Sequence, residues 1–389
     1  MGRRRLVALA ASGLAAVAGC ATFTEQPPPR SWQPQTPLTA QAGPAPREEG
    51  PGGGGGGPGG GPNQPPPTSI PPPDGCTDFH PAVLATCLDS PTAVAALPGD
   101  GSNPTALVGE RTTGRILLVR KGVDPEVVAT VPVDAAGDGG LTGLALSPSY
   151  AEDQLIFAYV TTRTDNRLVR IAAGDSAKPV LTGIPRGARG NRGALALDHR
   201  GGLLLATGDA GRPADPKSLA GKLLRLDASG KPHPDNPDPK TAVVASGLTA
   251  PGGVCASLDG SRTWVTDRTA KADVLHKVEY GRPLGTPAWS WPEKPGVAGC
   301  ASTSQVLWVA MSTAGHLENL PQAPDGTFTG KPNLSMEDEE GFGRLSGLDL
   351  VNDSVAVTGT VNKRGGTPVS SDDRALIIVL QALEGGGQD

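Results

Sequence analysis

Aromatic residues make up only 3% of this 389-residue chain. Its few tryptophans, Trp289 and Trp291 among them, are therefore as much needed to fill a core as to stack on a sugar or a partner. Histidine is also sparse, at five, and no two cysteines stand in C-x-x-C spacing. Both shortages weaken a zinc-type metal site. No basic block occurs after the first residues, and the net charge is -5. That balance argues against a nucleic-acid or anionic-lipid partner. Beyond residue 20 no stretch has the roughly 20 consecutive apolar residues that span a bilayer.

The first residues carry an address. Arg3, Arg4 and Arg5 precede an apolar run from Leu6 to Val17, and Val17-Ala18-Gly19-Cys20 follows. That order is a secretory signal, residues 1–19, ending in a lipobox-like site. Cleavage before Cys20 would free a cysteine for lipidation. Two acyl chains anchor stably where one holds only marginally. The expected location is the extracytoplasmic face of the cell membrane, with the membrane itself as a partner through the lipid.

Cys76, Cys87, Cys255 and Cys300 remain once Cys20 is set aside. An even set in an exported chain suggests disulfides, with three connectivities open. Proximity favours Cys76–Cys87, which leaves Cys255–Cys300.

Residues 20–75 hold proline tracts and the Gly52 to Gly57 run, a composition that builds a linker rather than a core. From Cys76 the texture changes to short apolar runs separated by turn residues. Sets of four strands open near residues 92, 141, 193, 252, 300 and 345. Such a period, roughly 50, is that of propeller blades. The fold class is all-β, a six-bladed β-propeller over 76–384 with a tail at 385–389; a large β-sandwich or two smaller β-domains is the alternative. The last set, Leu345–Leu350, Ser354–Thr360 and Arg374–Leu380, lacks a fourth strand. A strand within Thr77–Leu88 could complete it and close the ring.

Several motifs then fall in a fixed order. Gly139-Gly140-Leu141-Thr142-Gly143-Leu144-Ala145-Leu146-Ser147-Pro148-Ser149-Tyr150 resembles the GGLLGLAxHPxF signature of the soluble PQQ-dependent glucose/sorbosone dehydrogenase family. Gly208-Asp209-Ala210-Gly211, Gly221 to Asp227, Asp235-Asn236-Pro237, Ser246 to Gly253, Tyr280 to Pro283 and Gly343-Arg344-Leu345 resemble later family motifs. The resemblance covers about residues 92 to 380. Together with the lipobox and linker, it is similar to the build of mycobacterial lipoproteins.

The resemblance implies a propeller holding pyrroloquinoline quinone (PQQ), often with calcium, at the mouth of its channel. It also implies a histidine base where this chain has Ser147, and arginines where it has Ala194 and Ser346. A serine hydroxyl is a poor proton acceptor near neutral pH, whereas imidazole is a good one. A depleted site is therefore expected. Its candidate pocket is Ser147, Arg192, Asp209, Arg212, Asp215 and Arg344, with Asp209 a candidate calcium ligand or a turn former. The ligand could be a small sugar-like molecule or an envelope protein, and the expected state is a monomer. The alternative is a sugar or polyol dehydrogenase with an altered base. The acidic run Glu337 to Glu340 reads as a solvated loop. No histidine lies in a motif that replaces the missing base.

Overall fold

Apolar runs of about five residues, broken by glycine and aspartate turns, favour antiparallel meanders over helices. In the computed structural model, which describes residues 70–337 and 341–380, these runs form six four-stranded antiparallel sheets. Blade 1 comprises Pro91–Ala96, Thr105–Glu110, Arg115–Arg120 and Val123–Thr130. The inner strands of blades 2 to 6 are Leu141–Leu146, Gly193–Leu197, Pro251–Ala256, Val297–Ser302 and Leu345–Asn352. A four-residue helix, Tyr150–Asp153, follows the second inner strand. The signal sequence, Cys20 and most of the linker lie outside the described residues, as do the tail and Asp338 to Glu340 of the acidic run.

The ring closes as the sequence predicts. Val83–Ala85 is the fourth strand of blade 6, pairing Val83 with Leu376 and Ala85 with Ala375. The Cys76–Cys87 disulfide brackets that strand. Nearby, Arg374 pairs with Asp78 at 3.2 Å and Asp372 at 3.0 Å, all three side chains buried. A strand from the chain's beginning is thus fixed to its end and completes the four-stranded sheet of the last blade.

The buried apolar residues fall into six clusters, each joining two neighbouring blades. Leu107 and Ile116 of blade 1 pack with Leu144 and Val160 of blade 2. Trp264 of blade 4 packs with Val309 and Leu320 of blade 5. Each such leucine contributes roughly 1.5–3 kcal/mol on burial. Trp291 is also buried in that cluster, and its Nε1 donates to Glu318 at 2.8 Å. Both tryptophans of the Trp289–Trp291 strand serve the core.

Side-chain hydroxyls add links between blades. Ser346 Oγ donates to Pro91 O at 2.5 Å, and Thr266 Oγ1 to Ala298 O at 2.7 Å. A second disulfide, Cys255–Cys300, joins the inner strands of blades 4 and 5.

The inner strands surround a channel with two unlike halves. Their N-terminal halves are pinched together, and the space between them is about 30 Å³. Glycine makes this approach possible. A Cβ on Gly299 would lie 2.2 Å from Leu348 N, and one on Gly252 2.3 Å from Val297 O. Below this waist the channel widens to a cavity of about 280 Å³.

Candidate functional site

A residue just before an inner strand and one just after a second strand lie at the same end of a propeller, because neighbouring strands run antiparallel. Arg192 precedes the inner strand of blade 3, and Arg344 precedes that of blade 6. Arg111 follows the second strand of blade 1, and Arg268 ends the second strand of blade 4. Arg364 sits in the loop after the second strand of blade 6. Five arginines from four blades therefore converge on the mouth, above the waist.

Their electrostatics place several of them within one another's fields. Burial lowers the Arg192 guanidinium from its ordinary value, Asp138 offsets part of the effect, and Arg364 adds repulsion. Arg111 is lowered by burial and then by Arg364 and Arg192. Arg268 is lowered by burial, with Arg192 and Arg344 adding repulsion. Some of these cations are engaged by the backbone. Arg268 Nε donates to Val297 O at 2.7 Å, and Arg344 Nη1 to Arg364 O at 2.6 Å. Arg111 Nη1 donates to the carbonyls of Ala135 and Gly139. Arg192 differs: among the described residues its side chain makes no hydrogen bond, and its Nε is buried without a partner. Buried cations left unmatched are costly unless an anion meets them.

The carboxylates at the mouth are occupied. Asp138 accepts from Gly190 N at 2.9 Å and from Asn191 N at 3.1 Å, so it holds the loop that delivers Arg192. Asp209 accepts from Gly211 N at 2.6 Å. It is thus a turn former. Asp267 accepts from Thr249 N at 2.9 Å and Ala250 N at 2.7 Å. Burial, with a smaller push from Asp209, raises its carboxyl to about 6. Among the described residues, no group of three or more His, Cys, Asp or Glu converges as a metal site.

The structure brings together only part of the set chosen from sequence. Arg192, Asp209 and Arg344 share the mouth. Arg212 and Asp215 are at that end but exposed: Arg212 Nη2 reaches Arg186 O at 3.2 Å, and Asp215 caps Lys217 N at 2.8 Å. Ser147 is a correction. It follows the C-terminal end of an inner strand, so it lies at the opposite end of the propeller from the arginines. It is buried, its Oγ donates to Asp153 at 2.7 Å, and it accepts from Ser149 N at 3.2 Å. Ser147 shapes a turn, and its identity carries no information about chemistry at the mouth. Ser346 is likewise a link between blades, and Ala194 lines the waist.

Sequence reasoning missed Arg111, Arg268 and Arg364. The signal was present: Glu110-Arg111 and Asp267-Arg268 stand at the ends of the second strands of their blades, and Gly208-Asp209 just follows that of blade 3. Aligning blades rather than family motifs would have found Arg111 and Arg268; Arg364 stands apart, in the turn after its strand.

None of the five histidines is part of the arginine cluster. His80 meets Phe342 edge-on with centroids 4.7 Å apart, His233 Nδ1 accepts from Asp235 N, and His316 lies 3.2 Å from Glu318. His276 is on the third strand of blade 4, and His199 is in the hairpin below the waist.

The family model for glucose/sorbosone dehydrogenases matches residues 88–301. The chain belongs to that family. It is 29% identical to the PQQ-bound aldose sugar dehydrogenase of Streptomyces coelicolor, with a TM-score of 0.69 over 76% of this chain and 95% of that one. It is 26% identical to an oxidoreductase of Thermus thermophilus described as a glucose dehydrogenase, with a TM-score of 0.68 over 76% and 98%. A 27% identity over 231 residues links it to the aldose sugar dehydrogenase YliI of Escherichia coli, covering 54% of this chain and 62% of that protein. The chain spans about three fifths of the length of the curated relatives that it matches.

Proposed function

We propose that this chain is a lipid-anchored protein on the extracytoplasmic face of the cell membrane. Its propeller serves as a binding module for a small anion bearing several carboxylates. The observation that carries this reading is the arginine cluster, with Arg192 half-buried at its centre and its Nε enclosed without a partner. Cationic forks meeting carboxylates make strong, directional hydrogen bonds. PQQ belongs to that ligand class, and the cluster fits it: Arg111, Arg192, Arg268 and Arg344 would hold the carboxylates. When bound, PQQ supplies an electron-accepting quinone. The residues of this chain would orient it and exclude water above the glycine waist. None of the five histidines stands in the arginine cluster, which favours binding over sugar oxidation. The membrane part of the reading rests on the lipobox at Cys20 and the linker that follows, an order similar to that of mycobacterial lipoprotein LppZ and its relatives.

A second reading is favoured by Asp267. A carboxyl raised to about 6 at the mouth is poised to accept a proton near neutral pH. On that reading the chain is a PQQ-dependent sugar or polyol dehydrogenase with a carboxylate base. Titrating the full chain with PQQ, with and without calcium, and assaying dye reduction over aldoses and polyols separates the two. Binding without turnover supports the module. Turnover that is lost in Asp267→Asn supports the dehydrogenase. Absence of PQQ binding overturns both.

A further inference from the structure

Below the waist lies a well unlike the mouth. It occupies about 280 Å³ and draws on all six blades. Leu97, Leu146, Leu197, Leu258 and Val351 make much of its wall, and a single carboxylate, Asp349, enters it from the last inner strand. Asp349 Oδ2 accepts from Ala96 N at 2.8 Å, and Oδ1 accepts from Leu350 N at 3.0 Å. An ionised carboxylate offers about four acceptor positions, so half remain free. Burial raises this carboxyl to about 6, opposed only by those two amides; no charged side chain contributes. The other titratable group lining the well, His199, is pushed toward its neutral form by burial and otherwise answers to Asp198 and Asp259. At neutral pH the well therefore holds a negative charge that no cation among the described residues balances.

We propose that this well is a second binding site, for a small cation with an apolar body such as an alkyl- or arylammonium. The apolar walls would cover the body, and Asp349 would take the ammonium in a charge-assisted hydrogen bond. The volume falls just below the roughly 300 Å³ at which drug-sized ligand sites begin, which suits a small ligand. The glycine waist separates the well from the arginines, so the two ends would take ligands of opposite charge.

Calorimetric titration of the full chain with hexylammonium, hexanol and hexanoate tests this. The expected result is saturable binding of hexylammonium, at least about tenfold tighter than hexanol, with hexanoate weakest. Asp349→Asn should abolish that preference. In wild type, lowering the pH from about 8 to about 5 should weaken ammonium binding as the carboxyl protonates, which repeats the test without any substitution. Equal affinity for amine and alcohol would overturn the proposal. So would a preference that survives in Asp349→Asn, or no saturable ammonium binding up to about 10 mM.

Discussion

The two ends of this channel are built from the same six inner strands, yet they share almost no chemistry. The mouth gathers five arginines, and the far end offers leucines around one carboxylate. The difference follows from where each end sits in the meander. The mouth receives the loops that enter each blade and those that follow each second strand. Such loops vary freely and can carry function. The far end is made largely by tight hairpins between first and second strands, whose residues must first satisfy the turn. Ser147 and Asp198 illustrate this, since both spend their side chains on local backbone or on a buried partner. Between the two ends, glycines let the blades close to a waist.

Breaking the far end should cost stability and spare the mouth. Asp198 pairs with Arg225 at 2.5 Å with both side chains buried, and it also holds Arg200 N and Gly202 N. Asp198→Ala leaves Arg225 as an uncompensated buried charge, and unfolding should show a loss of about 3–5 kcal/mol. Retained anion binding in the folded fraction would show that the two ends are independent.

Breaking the mouth should divide its arginines into two kinds. Arg268 is partly structural, since its Nε and Nη2 reach Val297 O, Gly296 O and Ser312 Oγ. Arg268→Met should therefore lower stability by about 1–3 kcal/mol, measured by denaturant unfolding, as well as weaken anion binding.

The acid side sharpens the comparison further. Asp349 in the well and Asp267 at the mouth both have folded-state values raised to about 6 from 3.8. Each therefore contributes stability that is fully present below about pH 4 and lost as pH rises through about 6. Asp349→Asn should flatten the stability profile across that window in thermal melts, while Asp267 keeps its share. The smallest effect belongs to Ser147. Ser147→Ala should cost about 1 kcal/mol from its lost hydrogen bonds, and Ser147→His should create no turnover, because the side chain faces away from the mouth.

The fold was legible because the blade period is written in turn residues and short apolar runs. The openings near 141, 193 and 345 match the inner strands, and that of blade 5 begins at Val297, ahead of the 300 expected. The closing strand and both disulfides were legible too, from the missing fourth strand and the even cysteine count. The site was legible only in part. Arg192, Asp209 and Arg344 stand beside recognisable glycine motifs. Ser147 was misplaced because a motif match gives a position in the chain and not an end of the propeller. Arg111, Arg268 and Arg364 were missed because no family motif marks them, and closure of the ring is what brings them to the same end as Arg192 and Arg344.

The central claim is that the mouth is built to hold an anion, and Arg192 tests it most directly. Arg192 makes no side-chain hydrogen bond among the described residues, and the pull of Asp138 on it is opposed by burial and by Arg364, so a purely structural role gives it little to do. The measurement is a paired one on Arg192→Ala: thermal midpoint without ligand, and affinity for PQQ by calorimetry. The account predicts an unchanged or raised midpoint together with an affinity at least about tenfold weaker. A lowered midpoint with unchanged affinity would contradict it.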